Sequence, residues 1–512
     1  MRRPLIAFVL AVAATTGITS EAHAAKFMVS VMQDDNQLIY SSAANRDVAL
    51  RRMKILGVDA IRVTVLWDAV APRKKPKHGQ DPKAYRAANW DRYDDVARTA
   101  AKYDLQVYFD VTPPGPRWSQ AKANDPGNQK TWKPNPTQFG RFFQAVAKRY
   151  TGSYHDENQG KGVLPRVSWW GIGNEPNQGG WLMPQARKAG GRLIPTSPGI
   201  YRALLIAGAD ALIRTGHSFD RVNIGETAPL GVAPQSERRP LRPALFLREL
   251  FCVDSHMRPY RGRSAQLRGC SSVKKLATAL KRFPLLVYAH HPYTKRLAPT
   301  KRDKSRDAIT VANLKVLPTL LDKIAQKTKA IPVGLPIVLT EFGYETNPPD
   351  KFNGISLATQ AEWNNLGDFA AYDSDRVFAN TQFLLFDVPP RTDFPRNSKA
   401  YWFTYQSGLF TAQGKPKPSA PAYMMPFVAK RSGGGYRFWG QVRFTPNGAD
   451  QTVYLQRKQG TDWVTEGDPI PVTNTVGFWD VTRPAQKGQT YRALWVSPDQ
   501  ASFLATREIK LP

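Results

Sequence analysis

Eight short apolar runs separated by helical patterns recur between about residues 26 and 420, and this alternation restricts the fold more than any other feature. The runs are 27–32, 60–66, 105–111, 167–172, 222–225, 285–289, 336–340 and 383–386. Short runs with little apolar–polar alternation suit strands covered on both faces, as in a parallel sheet clothed by helices. Helical patterns fall between them, at 48–56, 95–103, 139–150, 201–215, 311–327 and 358–378. Strand–helix repetition predicts βα units. Eight strands predict an α/β chain closed into a (β/α)8 TIM barrel rather than an open sheet. No Gly-rich turn follows the first run, which argues against a dinucleotide-binding fold.

Beyond Pro421 the pattern changes. Ser432-Gly433-Gly434-Gly435 reads as a linker. Short β-rich runs follow at 436–444, 452–456, 478–481 and 490–496, with turn residues such as Pro446-Asn447-Gly448. These predict a small C-terminal all-β sandwich of immunoglobulin or fibronectin type over 431–512, its core filled by Trp439, Trp463, Trp479 and Trp495. The barrel is then assigned to 25–430.

The first 24 residues read as a secretory signal peptide. Arg2 and Arg3 precede an apolar run at 5–14, and Ala22-His23-Ala24 supplies small residues at a cleavage point before Ala25. The run is too short for an ordinary span, and no later run is long enough. The expectation is a secreted monomer, extracellular or associated with the cell wall, without a membrane span after cleavage. The two cysteines, Cys252 and Cys270, are expected to pair in an oxidising compartment. They cannot complete a zinc shell by themselves, and no His-x-His cluster accompanies them, so neither metal nor cofactor is expected. A formal net charge of +31 attracts polyanions, an anionic cell-wall polymer among them. The basic residues are spread along the chain apart from Arg73-Lys74-Lys75-Pro76-Lys77. No nucleic-acid motif accompanies them, so a nucleic acid is not expected as partner.

A barrel of this kind presents reactive groups at the C-terminal ends of its strands. Five acidic residues follow apolar runs: Asp110, Glu175, Glu226, Glu341 and Asp387. Glu175 lies in Gly173-Asn174-Glu175-Pro176 after the fourth run, and Glu341 lies in Thr340-Glu341-Phe342-Gly343 after the seventh. Those strand ends face each other across a barrel mouth. Two carboxyls so placed suit glycosidic cleavage, in which one gives a proton to the leaving oxygen and the other attacks or activates water. Asn174 can donate to a sugar hydroxyl, Arg62 and Tyr293 can keep Glu341 ionised, and Trp118, Trp170 and Trp181 offer faces for sugar rings. Asp110 and Glu226 read as structural or substrate-contacting, and His291 reads equally as a barrel-mouth histidine or a substrate ligand.

These motifs resemble those of clan A glycoside hydrolases, the retaining (β/α)8 enzymes that include family five and family thirty-nine. The resemblance spans roughly 25–420. It implies Glu175 as general acid/base, Glu341 as nucleophile and Asn174 as partner of the sugar 2-hydroxyl. Arg62 in Ile61-Arg62-Val63 matches the arginine that bonds the nucleophile. His291-Pro292-Tyr293 matches the His-x-Tyr that places a tyrosine beside it. The substrate implied is a carbohydrate and the product a retained anomer. One departure concerns the eighth run, Phe383-Leu384-Leu385-Phe386-Asp387, which lacks the tryptophan common at that strand's end. Phe386 or Trp402 is expected to stand in. A second reading is a degenerate barrel that binds polysaccharide without cleaving it.

Overall fold

The computed structural model describes residues 27–512 apart from 124, 159 and 445–450. The signal segment 1–24 and the turn Pro446-Asn447-Gly448 lie outside the described residues.

The barrel strands are β1 (Val29–Gln33), β2 (Ala60–Leu66), β3 (Gln106–Thr112), β4 (Trp169–Ile172), β5 (Arg221–Thr227), β6 (Leu286–His290), β7 (Ile337–Phe342) and β8 (Val377–Phe383). All neighbours pair in parallel, and β8 closes on β1 with Val29 opposite Ala379. Side chains of period two fill the interior, where Val29, Val31, Ala60, Tyr108, Trp169, Ala289, Val338 and Ala379 form one buried cluster. Arg62 lies two residues beyond Ala60 and therefore also points inward. The opposite strand faces pack against a ring of helices. The helix Pro136–Arg149 illustrates how these form. Asn135 accepts from the Gln138 N–H, Pro136 opens the first turn, and Phe139, Phe142, Phe143 and Val146 bury one stripe.

Seven of the expected strands lie within two residues of their expected position or extend it. The eighth does not. The run at 383–386 follows the strand, which is Val377–Phe383, and the preceding helix ends at Tyr372. The strand was hidden by Asn380, Thr381 and Gln382. Asn380 donates to Asp368 at 2.8 Å, and Gln382 accepts from Asn364 at 3.2 Å. Both partners belong to the helix Leu357–Tyr372, so polar residues serve where apolar ones were expected.

After the last barrel helix, Ser419–Met424, two antiparallel sheets form the C-terminal module. One contains Phe427–Ser432, Gly435–Gln441 and Phe478–Arg483; the other is built around Gln451–Gln459 and Thr490–Val496. The expected linker at 432–435 is instead a hairpin turn, with Ser432 paired to Gly435 and Gly433 at φ +56°. Trp479 and Trp495 fill the core between the sheets. Trp463 does not: it lies half-buried beneath the Arg492 guanidinium, 4.2 Å away. Nor does Trp439, which faces the barrel and packs on Phe369 and Tyr372 at 5.4 and 5.3 Å between ring centres. Arg443 pairs with Asp368 at 3.2 Å across the same seam. Cys252 and Cys270 are joined in a disulfide in the connection from β5 to β6. Among the described residues, no helix is long and apolar enough to cross a membrane.

Trp439 is fully buried against barrel helix and module together. Trp439→Ala is expected to cost about 3–5 kcal/mol, read as a lower midpoint in chemical denaturation. A midpoint equal to that of the parent chain would show that the seam contributes nothing.

Candidate active site

The site is organised around one buried arginine. Arg62, with no solvent exposure, donates through Nη1 to Glu341 Oε1 at 2.9 Å. Its Nη2 donates to Asp110 Oδ2 at 3.1 Å and to Asn174 Oδ1 at 2.7 Å. Gln33 Oε1 and Glu226 Oε2 complete the set in close contacts. An arginine inside a barrel needs such partners, because an unpaired buried charge is prohibitively costly.

Local backbone brings these partners in. Asp110 is at the inward face of β3, opposite Gly171 of β4. A Cβ on Gly171 would meet Tyr108 Oη at 2.4 Å, Glu226 Oε1 at 2.8 Å and Asp110 Oδ1 at 2.9 Å, so glycine leaves room for three polar atoms to converge. Glu226 falls in an irregularity of the β5–β6 register, with φ +44°, which turns a residue between Gly225 and Thr227 into the interior. Glu175 follows β4 with φ +39°, and its backbone N–H donates to the Glu226 carbonyl at 3.0 Å. Left-handed non-glycine backbone of this kind is held by its surroundings and concentrates at functional sites.

The two strand-end carboxyls face each other, and His291 lies between them. His291 Nδ1 is 2.9 Å from Glu175 Oε1 and 3.6 Å from Glu341 Oε2. One oxygen from each carboxyl and one nitrogen of His291 all fall within 4.8 Å of one another. Tyr293 donates its hydroxyl to Glu341 Oε2 at 3.1 Å. The Trp181 indole lies near the Glu175 carboxyl and favours its charged form. Asn174 uses its amide oxygen on Arg62 and its backbone N–H on Thr112 at 2.8 Å, so its amide N–H groups are what it can offer a ligand. Among the described residues, Glu175, His291 and Glu341 are also close enough together to hold a cation.

Burial raises both carboxyls, but their partners differ. Burial pushes Glu175 up to about 7, opposed only in part by Arg62 and the nearby Trp181 indole. Glu341 is also raised by burial, but the Arg62 charge and the Tyr293 hydroxyl favour its charged form. Burial lowers His291 to about 4, so its imidazole is neutral near pH 7. Beneath them burial raises Glu226 to about 7 and Asp110 to about 6. A single guanidinium thus faces three carboxyls that do not all ionise together.

The structure gathers Arg62, Asn174, Glu175, Trp181, His291, Tyr293 and Glu341 in one place. It leaves Trp118 apart, where the indole donates to the Pro72 carbonyl at 2.9 Å and the ring lies edge-on to Trp67. Trp170 is buried on the helix side of β4 and donates to Asp220 at 3.1 Å, which removes it as a sugar face. The tryptophan preceding it points inward instead, because side chains alternate along a strand. Phe386 packs at a tilt on Phe410, ring centres 5.6 Å apart, under Arg52, and Trp402 is buried with its indole on the Arg396 carbonyl. The aromatic residue at the end of β8 is Phe383, whose ring meets Tyr293 at 6.3 Å and Tyr405 at 5.2 Å. Asp110 and Glu226 bear on the site more directly than a structural reading gave them, and Gly171 and Gly225 are the sequence signals that mark the space they occupy. Tyr405 lies in a long loop without periodicity and had no such signal.

No protein-family model and no curated protein matches the chain. Solved structures follow a similar chain path at low identity. A family 39 glycoside hydrolase from the gut symbiont Bacteroides cellulosilyticus is 13% identical, with 89% of this chain and 79% of that one covered and a TM-score of 0.48. GH5_18 from Streptomyces cattleya, in complex with GlcNAc, is 16% identical over 78% of each chain, with a TM-score of 0.45. The endo-beta-1,4-mannanase from Thermotoga petrophila is 12% identical over 95% of this chain and 97% of that one, with a TM-score of 0.42.

Replacing the buried cation tests its place in the site. Arg62→Met is expected to lose about 3–5 kcal/mol of stability at pH 7, because Glu341, Glu226 and Asp110 lose their counter-ion. Without it their folded pKa values rise further above the unfolded ones. The deficit therefore shrinks as pH falls and these groups protonate. Denaturant unfolding at pH 7 and pH 5 measures this, and an equal loss at both would contradict the assignment.

Proposed function

We propose that this protein is a secreted retaining glycoside hydrolase that cleaves O-glycosidic bonds of an oligo- or polysaccharide by double displacement. The observation that carries the reading is the close approach of Glu175 and Glu341, with oxygens within 4.8 Å, together with their different partners: burial raises Glu175 to about 7, whereas Arg62 and Tyr293 both bond the Glu341 carboxylate. A short carboxyl separation of about 5–5.5 Å leaves no room for a water between nucleophile and sugar, and favours a covalent intermediate.

In this reading Glu175, protonated near neutral pH, gives its proton to the glycosidic oxygen. Glu341, held ionised by Arg62 and Tyr293, attacks the anomeric carbon from the opposite side. The bond to the leaving oxygen breaks as the bond to the Glu341 oxygen forms. Glu175, now ionised, takes a proton from a water that attacks the same carbon and releases Glu341. His291, neutral beside both, holds the Glu175 carboxyl in line through either of its hydrogen-bonding states. Asn174 offers its amide N–H groups to the sugar 2-hydroxyl. Trp181 and Phe383 border the space. No step calls for a cofactor.

A second reading, a polysaccharide-binding barrel on an anionic cell-wall polymer, draws on the cationic surface and on Phe383 standing where a tryptophan was expected. The disulfide between Cys252 and Cys270 supports export under either reading. The domain division into 1–24, 25–430 and 431–512 is carried with the proposal, with the module's first strand beginning slightly before that last boundary, at Phe427.

Activity on a panel of aryl glycosides separates the readings. Glu341→Gln is expected to reduce kcat/KM by roughly 10³-fold or more, and equal turnover by variant and parent would refute the nucleophile assignment. The pH profile has a predicted shape. Above about 7 the rate falls as Glu175 loses its proton. At low pH it falls as Glu341 gains one. Glu175→Gln is expected to abolish the alkaline limb; an unchanged limb would assign the proton donor elsewhere.

A further inference from the structure

The longest connection on the catalytic face follows β8. Its segment 388–405 leaves the barrel and returns, closed at its base by the Val388 N–H on the Tyr405 carbonyl at 2.8 Å and by the Arg391 N–H on the Tyr401 carbonyl at 2.8 Å. Buried Lys417 fastens that base, donating to Asp387 at 2.6 Å and to the Gln406 carbonyl at 3.0 Å. Long ordered loops at this end of a barrel are commonly functional.

The returning arm presents two aromatic rings to solvent. Tyr405 is 55% exposed and Phe403 is 79% exposed, while Trp402 beside them is buried. Tyr405 belongs to the site's edge: its ring meets Phe383, Phe383 meets Tyr293, and Tyr293 bonds Glu341. Phe403 is two residues earlier on the same arm. Two exposed rings thus lie on the arm that reaches the site through Tyr405, and the core gains nothing from leaving them exposed.

The charge beside them is positive. The same loop exposes Arg396 and Lys399, and no acidic partner within ion-pair distance is found for either among the described residues. The connection after β6 carries Lys295 and Arg296, both exposed, directly after Tyr293-Thr294. Residues 291–310 hold six Lys and Arg against two Asp. Glu345 lies near Lys295, and burial together with Asp350 and Asp387 raises it to about 8.

We propose that the glycan accepted at this mouth is anionic, with its outer sugars lying on Tyr405 and Phe403 and its carboxylate or sulfate groups meeting Lys295, Arg296, Arg396 and Lys399. The proposal rests on the glycosidase reading for its substrate but is tested by binding. Ring faces of sugars suit exposed aromatics, and clustered cations beside them select charged chains over neutral ones.

The test uses the full chain carrying Glu341→Gln, so that nothing is cleaved, and titrates it with polyglucuronate, dextran sulfate and dextran. The charged polymers are expected to bind at least tenfold more tightly than dextran, and the stronger of the two identifies the anionic group. Phe403→Ala is expected to weaken the preferred polymer at least fivefold, and Arg396→Glu with Lys399→Glu at least tenfold. Lys430→Glu with Lys487→Glu, on the C-terminal module, is the control and is expected to cost less than twofold. Equal binding of dextran would overturn the proposal. So would a control loss as large as the loop loss, which would mean attraction to the overall charge alone. Aryl-glycoside turnover by the parent chain is measured separately, so failure of the glycosidase reading is distinguishable from failure of the loop assignment.

Discussion

The arrangement at the barrel mouth depends on the fully buried guanidinium of Arg62. Its partners come from five barrel strands or the residues just after them: Gln33, Asp110, Asn174, Glu226 and Glu341. The energetic demand of one buried cation therefore fixes the relative positions of β1, β2, β3, β4, β5 and β7 at the end where chemistry is expected. Glu341 is oriented by Arg62 on one oxygen and Tyr293 on the other. Glu175 is not bonded to the cation, and this difference lets it keep a proton.

The same constraint accounts for the local irregularities. Gly171 supplies space for Asp110, Glu226 and Tyr108 beneath the site. The displaced Glu226 gives its backbone carbonyl to the Glu175 N–H while its side chain reaches Arg62. Two residues with left-handed backbone thus support each other across adjacent strand ends. The buried acids below share a limited positive charge, so protonation there is coupled to the ionisation of Glu341 above. Outside this centre the catalytic face is less constrained, and its long loops can carry specificity without disturbing it.

Much of this was legible in the sequence because it rests on local pattern. Apolar runs on two-sided buried strands located β1 to β7, and acids that end such runs located Glu175 and Glu341. The arginine within Ile61-Arg62-Val63 was legible for a simpler reason: a charge in an apolar strand requires a counter-charge. What failed was long-range. The eighth strand is half polar because its outer face hydrogen-bonds a helix rather than packing on it, and no local pattern announces that. Trp170 was placed among the sugar faces because sequence does not say which of two adjacent tryptophans points inward. Trp439 was assigned to the module's core although its partners, Phe369 and Tyr372, lie in a helix some seventy residues earlier. Tyr405 reaches the site through a loop whose course follows from its anchors, Asp387 and Lys417, and not from any repeat.

The central claim is that Glu341 forms a covalent bond to the sugar while Glu175 manages the proton. Incubating the chain with a panel of 2-deoxy-2-fluoro glycosyl fluorides, whose fluorine slows release of the intermediate, tests this directly by mass spectrometry of the intact protein and its peptides. The account predicts one added glycosyl group, located on Glu341 and absent from Glu341→Gln. A label on Glu175, or fluoride release without any adduct and with inversion at the anomeric carbon, would contradict it.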